Sequence, residues 1–208
     1  MEKVVNIVNL AGWTYLLVNI EIELIFNREA YVSSDITLVL WILRAVQLFQ
    51  VSDILLVLIG KSKGNVVAAF FQILGRNVVT LFLMEPETNH LSFAGVLVIW
   101  SIADINRYLY YIFKNNSLTA FLRYNSFLLL YPIGGFAEMV VINNYISRHP
   151  ELEDIYIYMI RAIQAMIITG VVVLYSHMLK ARSKYMKSSK EEKKVEESTL
   201  ESEAKKTE

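Results

Sequence analysis

Six apolar segments, each long enough to cross a membrane as a helix, occupy most of the sequence. A hydrocarbon core about 30 Å thick takes about 20 helical residues to cross. The hydrophobic fraction of 55% over 208 residues and the mean hydropathy of +0.41 also favour a membrane protein over a soluble domain. Residues 1–181 are therefore predicted to form an all-α, six-transmembrane-helix bundle. Its segments fall near Val4–Phe26, Ile36–Gly60, Asn65–Met84, Leu91–Phe113, Leu118–Tyr145 and Ile155–Leu179.

The distribution of basic residues predicts the orientation of this bundle. An even number of spans places both ends of the chain on one side of the membrane. That side receives most of the lysines outside the spans, which are Lys3, Lys61, Lys63, Lys114 and a cluster that begins at Lys180. Because loops rich in Lys and Arg stay in the cytosol, both termini are predicted to be cytosolic. The first apolar run is too long for a signal peptide, so none is predicted.

The last segment, residues 182–208, is rich in Lys, Glu and Ser and poor in apolar residues. Such a composition buries too little surface to fold, so a disordered charged tail is predicted. It ends in "KKTE", which matches the dilysine pattern that retrieves membrane proteins to the endoplasmic reticulum. A chance match in a lysine-rich tail is the alternative.

Composition excludes several classes of function. The 20 basic residues are balanced by 20 acidic ones, so nothing favours binding to nucleic acid. The absence of cysteine excludes disulfides, thiolate metal sites and a cysteine nucleophile. The three histidines are far apart and lack the spacing of metal ligands, so no metal site is predicted.

Ionisable residues inside the apolar segments are the main candidates for a functional site. Each costs roughly 2.5–3.5 kcal/mol near the bilayer centre, and such residues usually face a protein cavity. Asp104 and Arg107 are spaced i,i+3, so they can pair on one helix face. They either belong to a site or simply hold helices together. The full set is Glu21, Glu23, Arg44, Asp53, Arg76, Asp104, Arg107, Arg123, Glu138 and Arg161.

The fifth segment contains "LRYNSFLLLYPIGGFAE", in which seven residues separate Tyr131 from Glu138. Seven residues are about two helical turns, so both side chains point the same way, about 10 Å apart along the axis. Pro132 is expected to kink the helix. Gly134 and Gly135 allow close approach of either a neighbouring helix or a ligand. The alternative is a kinked packing helix whose glutamate is satisfied by hydrogen bonds.

These blocks resemble a known enzyme family. The patterns "W-x3-D-x2-RY-x-YY" and "LRY-x2-F-x3-YP-x-G-x3-E", with "NLAGW", "QLFQVSDILLVLIG" and "FFQILGR", are similar to those of the 3-hydroxyacyl-CoA dehydratases of fatty-acid elongation. That family is also called protein tyrosine phosphatase-like, and its members are six-span proteins of the endoplasmic reticulum. The resemblance implies that Tyr131 and Glu138 are the catalytic pair and that Arg76, Arg107, Arg123 and Gly134 support it. The chain departs from the family in having Asp instead of Glu at 53 and 104.

The resemblance implies a lyase that removes water from a very-long-chain (3R)-3-hydroxyacyl-CoA to give the trans-2-enoyl-CoA, without a cofactor. Of Tyr131 and Glu138, one is the acid and the other the base, with Glu138 the expected base. A funnel carrying Lys61, Lys63, Lys114 and Arg123 is expected to bind the CoA phosphates. Expected partners are membrane lipid, an elongase, a 3-ketoacyl-CoA reductase and an enoyl-CoA reductase. A non-catalytic scaffold of the elongation complex and a small transporter are the alternatives.

Overall fold

A computed structural model describes residues 2–26, 37–61, 66–85 and 90–204. Side chains are described throughout these ranges except at residues 20–26, 68–69, 90, 189–190 and 192–204. Lys63 and the side chains of Glu21 and Glu23 therefore lie outside the described part of the chain.

The described residues form helices joined by short connections, and they include no β-strand. The third helix continues into a π-helical turn at Val79–Leu83. The helices are α1 Glu2–Phe26, α2 Thr37–Leu58, α3 Val66–Val78, α4 His90–Ile112, α5 Ser117–Asn125, α6 Phe127–Arg148 and α7 Asp154–Ala204. The predicted all-α class is confirmed.

Helix boundaries follow from local sequence chemistry. Gly60 has a φ of 70° and ends α2, and the N–H of Lys61 donates to the Leu56 carbonyl at 2.9 Å. A glycine in this left-handed conformation is a common helix terminator. The side chain of Asn116 caps α5 by accepting a hydrogen bond from the N–H of Leu118 at 2.9 Å.

The predicted fifth segment is divided between two helices. The structure separates α5 from α6 at Ser126, and Pro132 lies inside α6. Ser126 lies six residues before Pro132, which cannot donate a hydrogen bond to the carbonyl of Leu128. The short α5 contacts α4, α6 and α7.

The six longer helices pack in a closed ring. The backbone of each lies close to those of two neighbours, in the order α1, α2, α3, α7, α6, α4 and back to α1. The last helix in the sequence therefore lies between the third and the sixth. The core of the ring contains large side chains that are almost fully buried, including Trp13, Phe93, Trp100 and Tyr108.

The ring buries charged side chains within its apolar core and exposes large apolar side chains on its outer surface. Asp104 and Glu138 are buried, whereas Phe136 and Leu129 are 71% and 70% exposed. An apolar outer surface suits a lipid environment, and charged residues inside a membrane bundle face its interior. Among the described residues, three helices are apolar and long enough to span a membrane: Thr37–Leu58, Phe127–Arg148 and Asp154–Ser188. A shorter apolar stretch covers Phe70–Leu83. The membrane class is thus supported, and six spans stay a prediction.

The disorder predicted for residues 182–208 is not confirmed for the described residues of this segment. Helix α7 continues without a break to Ala204. Arg182 donates to the side chain of Asn125 at 3.1 Å, and the ring of Tyr185 stacks on that of Tyr124 with 4.6 Å between centroids. Lys, Glu and Ala favour helix, so the composition of this segment is compatible with a helix as well as with disorder.

Charged residues mark the two ends of the bundle. At the first end, here named the Lys114 end, Lys114 lies 3.6 Å from Glu2. At the opposite end, the carboxylate of Glu85 lies 3.5 Å from Arg148 and 3.0 Å from His149. The hydrogen bond to Glu85, and to a smaller extent the one to Glu151, raises the pKa of His149. These contacts join the end of α6 to the segment that follows the π-helical turn.

Candidate active site

A cleft opens between α3, α4, α6 and α7. Its cavity volume is about 60 Å³. Most of its lining is apolar, and its polar groups are few. The polar lining residues are Gln72, Arg76, Trp100, Tyr131 and Glu138, and Gly75, Gly134, Gly135 and Gly170 also line it. A largely apolar cleft with a few converging polar groups is the usual form of a small-molecule site.

Tyr131 and Glu138 both line this cleft, as their spacing predicts. Glu138 is buried and Tyr131 is half-buried. Between them, a Cβ added to Gly134 would lie 3.2 Å from Ile99 of α4, and one added to Gly135 would lie 3.4 Å from Val171 of α7. The glycines therefore let the neighbouring helices approach α6 closely, and both glycines also line the cleft.

The carboxylate of Glu138 is held by a tryptophan. The Nε1–H of Trp100 donates to Oε1 of Glu138 at 2.7 Å. The guanidinium of Arg76, which lines the same cleft, lies 5.1 Å from the centre of the Trp100 ring. A charge-assisted hydrogen bond fixes the carboxylate in one orientation and leaves its other oxygen to act on a bound molecule.

Behind the cleft, a chain of buried ion pairs connects α2, α3 and α4. Asp104 pairs with Arg76 and lies 3.0 Å from Arg107, which confirms the predicted i,i+3 pair. Arg107 lies 3.2 Å from Asp53, and the hydroxyl of Tyr108 donates to Asp53 at 2.6 Å. Because each charge has a partner of opposite sign, four ionised groups can be buried together.

The segment after Arg76 has an irregular backbone. The π-helical turn at Val79–Leu83 starts three residues later, and the hydroxyl of Thr80 donates to the carbonyl of Arg76 at 2.7 Å. Arg44 of α2 donates to the carbonyls of Thr80 and Met84, at 3.2 and 2.9 Å. The π-helical turns found in proteins often adjoin functional sites. Arg44 thus holds the turn that positions Arg76.

The residues predicted to bind CoA do not line the cleft. Arg123 is half-buried on α5, Lys61 is exposed after α2, and Lys114 is exposed and near Glu2. Lys61 and Lys114 lie at the same end of the bundle, because the contact between Asp53 and Arg107 aligns α2 with α4. Lys63 lies outside the described residues. In the part of the chain that the structure describes, no cluster of three His, Asp or Glu could hold a metal.

Sequence reasoning missed the contact between Trp100 and Glu138, and it assigned no role to Tyr108. Both residues belong to the quoted fourth-segment pattern, Trp100 at its first position and Tyr108 beside Arg107. A tryptophan four residues before Asp104 lies on the same helix face, and this spacing could have predicted that Trp100 faces the site.

Comparison with known proteins decides the family. The model of the family described as protein tyrosine phosphatase-like protein, PTPLA, matches residues 47–188. The chain belongs to this family. The matched region contains the cleft and all four buried ion-pair partners.

Relatives in the family bear the name of an enzyme. A zebrafish (Danio rerio) very-long-chain (3R)-3-hydroxyacyl-CoA dehydratase is 23% identical over 89% of this chain and 57% of its own length. A dog (Canis lupus familiaris) very-long-chain (3R)-3-hydroxyacyl-CoA dehydratase 1 is 28% identical over 87% of this chain and 80% of its own length. A chicken (Gallus gallus) very-long-chain (3R)-3-hydroxyacyl-CoA dehydratase is 29% identical over 65% of this chain and 39% of its own length. The chain thus spans about half the length of several relatives. No solved structure matches the chain.

Proposed function

We propose that this chain is a very-long-chain (3R)-3-hydroxyacyl-CoA dehydratase of the fatty-acid elongation cycle. The observation that carries the proposal is the presence of Tyr131 and Glu138 in one largely apolar cleft, with the glutamate buried and oriented. The apolar walls suit an acyl chain, and the two polar groups suit the two proton transfers of an elimination. The family membership and the names of the relatives support the same activity.

In the proposed reaction, the carboxylate of Glu138 takes a proton from C2, which is acidified by the adjacent thioester. Tyr131 gives its proton to the C3 hydroxyl, and the C–O bond breaks to release water. The electron pair of the C2–H bond becomes the C2–C3 double bond. The phenol hydroxyl of Tyr131 is a hydrogen-bond and proton donor, which suits the acid role. The reverse assignment uses the same two groups.

The surroundings of Glu138 fit its proposed role. Trp100 binds one carboxylate oxygen and so fixes the side chain of Glu138 in one orientation, in which the other oxygen can face the substrate. Arg76 contributes positive charge to the cleft and is itself held by Asp104. This arrangement keeps a buried carboxylate near a compensating charge while leaving it free to accept a proton.

The proposal is tested by measuring enoyl thioester formation from a long-chain (3R)-3-hydroxyacyl-CoA with the purified full chain in detergent micelles. Turnover without an added cofactor is the expected result. A protein that binds elongase and the two reductases of the cycle without turning over substrate would be a scaffold. Solute flux across sealed vesicles without dehydration would indicate a transporter. Either result contradicts the enzyme.

The CoA moiety is proposed to remain at the Lys114 end, where Lys61, Lys63 and Lys114 attract its phosphates and Arg123 binds one of them. In the same assay, the triple Lys→Ala variant is expected to raise KM at low salt and to leave the rate at saturation nearly unchanged. Arg123→Ala should raise KM as well. An unchanged KM in the triple variant would place the nucleotide elsewhere. In that case the ion pair with Glu2 would be the only contact of Lys114 that matters among those described.

The six-span topology in the endoplasmic reticulum, with both termini cytosolic, is part of the proposal. Helix α4 has 23 residues, which is enough to cross a hydrocarbon core even though it carries Asp104 and Arg107 on its buried side. An N-glycosylation acceptor placed in residues 86–89 should be modified in microsomes, and one appended after residue 208 should not. The opposite pattern would invert the topology.

A further inference from the structure

The ion-pair chain has a second polar region on its far side from the cleft. The amides of Asn9, Gln47 and Gln50 are at most 1% exposed. None of their side-chain nitrogen or oxygen atoms has a hydrogen-bond partner among the described residues, and the same holds for Nε1 of Trp13 and Oγ of Ser101. Native proteins pair nearly all such groups with protein or water, because a buried polar group without a partner costs about 1–3 kcal/mol.

These groups form stripes on three neighbouring helices. Asn6, Asn9 and Trp13 recur at spacings of three and four along α1, and therefore share one face. Gln47 and Gln50 share a face of α2 in the same way. On α4, Ser101 lies one turn before Asp104.

The packing of the helices brings these stripes to similar levels. A Cβ added to Gly12 would lie 2.9 Å from Val46, so the residues that follow them, Trp13 and Gln47, lie at a similar height on α1 and α2. Gln50 is one turn before Asp53, whose carboxylate meets Arg107 of α4. The amides therefore lie beside the ion-pair chain.

The α1 stripe also reaches the surface. A polar groove at the Lys114 end is lined by Lys3, Asn6, Tyr111, Lys114 and Asn116. Asn6 belongs to this groove and is one turn before Asn9. Tyr111 also lines it and is one turn after Arg107 on α4. Polar residues thus continue from the groove to the buried amide of Asn9 on α1 and to the ion-pair chain on α4.

We propose that these residues form an internal water-binding conduit, which runs inward from the groove along the ion-pair chain to Asn9 and the glutamines. Water suits the site because each amide offers both donors and acceptors, and a buried water makes about three hydrogen bonds to such groups. The conduit solvates the back of the buried charges, and it does so whatever reaction the cleft performs. If the cleft performs the proposed elimination, the conduit gives water a polar route that lies beside the apolar cleft.

Hydroxyl-radical footprinting tests the conduit without measuring turnover. A brief X-ray exposure of the full chain in detergent micelles generates radicals from water, and bound internal water labels the side chains beside it. Trp13 and Phe93 are both 0% exposed. After correction for intrinsic reactivity, Trp13 should be labelled several-fold faster than Phe93. Equal, slow labelling of the two residues would show that the region is dry and would overturn the proposal.

Variants then assign the water to the amides. Gln50→Met and Asn9→Leu keep side-chain size while removing the polar atoms, and each should reduce labelling of Trp13 towards the rate of Phe93. Gln164→Met makes the same chemical change on α7, where the amide oxygen accepts a hydrogen bond from Arg161 at 2.7 Å. This variant should leave the labelling of Trp13 unchanged. Unaltered labelling in both interior variants would contradict the role of the amides. The comparison within the unmodified chain decides the matter if a variant fails to fold.

Discussion

Glu138→Gln is expected to lower the rate of dehydration by ~10² or more, as for the removal of a general acid or base. The amide has the shape of the carboxylate but cannot take a proton from C2. Tyr131→Phe should cause a loss of similar size by removing the proton that the C3 hydroxyl needs. The measurement is enoyl thioester formation at saturating substrate in the purified variants.

Matched controls separate chemistry from folding. Tyr158 of α7 is 70% exposed, so Tyr158→Phe should leave the rate unchanged. Each catalytic variant should also bind a non-reacting saturated acyl-CoA as the parent does, because neither change alters the apolar walls of the cleft. A near-parental rate in either variant would remove that residue from the mechanism, whatever the activity of the chain.

Asp104→Asn is expected to destabilise the protein strongly. Asp104 is fully buried and is the partner of both Arg76 and Arg107, so its neutralisation leaves Arg76 without the carboxylate that it pairs with. Breaking a buried ion pair from one side typically costs about 3–5 kcal/mol. The measurement is the free energy of unfolding in detergent micelles, with denaturant as the variable.

The control for this effect is the ion pair between Glu2 and Lys114. That pair is 3.6 Å long, and its lysine side chain is 59% exposed. Glu2→Gln should therefore change stability by only about 0–1 kcal/mol, because solvent screens exposed pairs. Equal losses in the two variants would mean that Asp104 is not the centre of the buried charge network.

The sequence predicted the features of the site that lie within one helix. Fixed helical spacing places Tyr131 with Glu138, and Asp104 with Arg107, and both pairs occur as expected. The cost of burying charge also predicted an interior position for the ionisable residues, which holds for Glu138, Arg76 and Arg107, whereas Arg161 is exposed.

Contacts between helices could not be predicted in the same way. Trp100 meets Glu138 across 38 residues, and Arg107 meets Asp53 across 54. Such contacts depend on which helices are neighbours and on their rotation, and neither is encoded in the spacing along one segment. The continuation of α7 to Ala204 shows a further limit, since the same lysine and glutamate residues suit both a helix and a disordered tail.

The ring order has a consequence for how the protein is made. A ribosome delivers α3 and α6 before α7, yet α7 lies between them and contributes one wall of the cleft. Until α7 has been made, Arg76 and Glu138 lack that wall, and the nascent chain must keep these groups away from lipid by other means. A chain interrupted within α7 leaves the cleft open along its length. The cleft is thus complete only after the last of its four helices has been made, so chains that stop earlier carry its polar residues without the compartment that separates them from the bilayer.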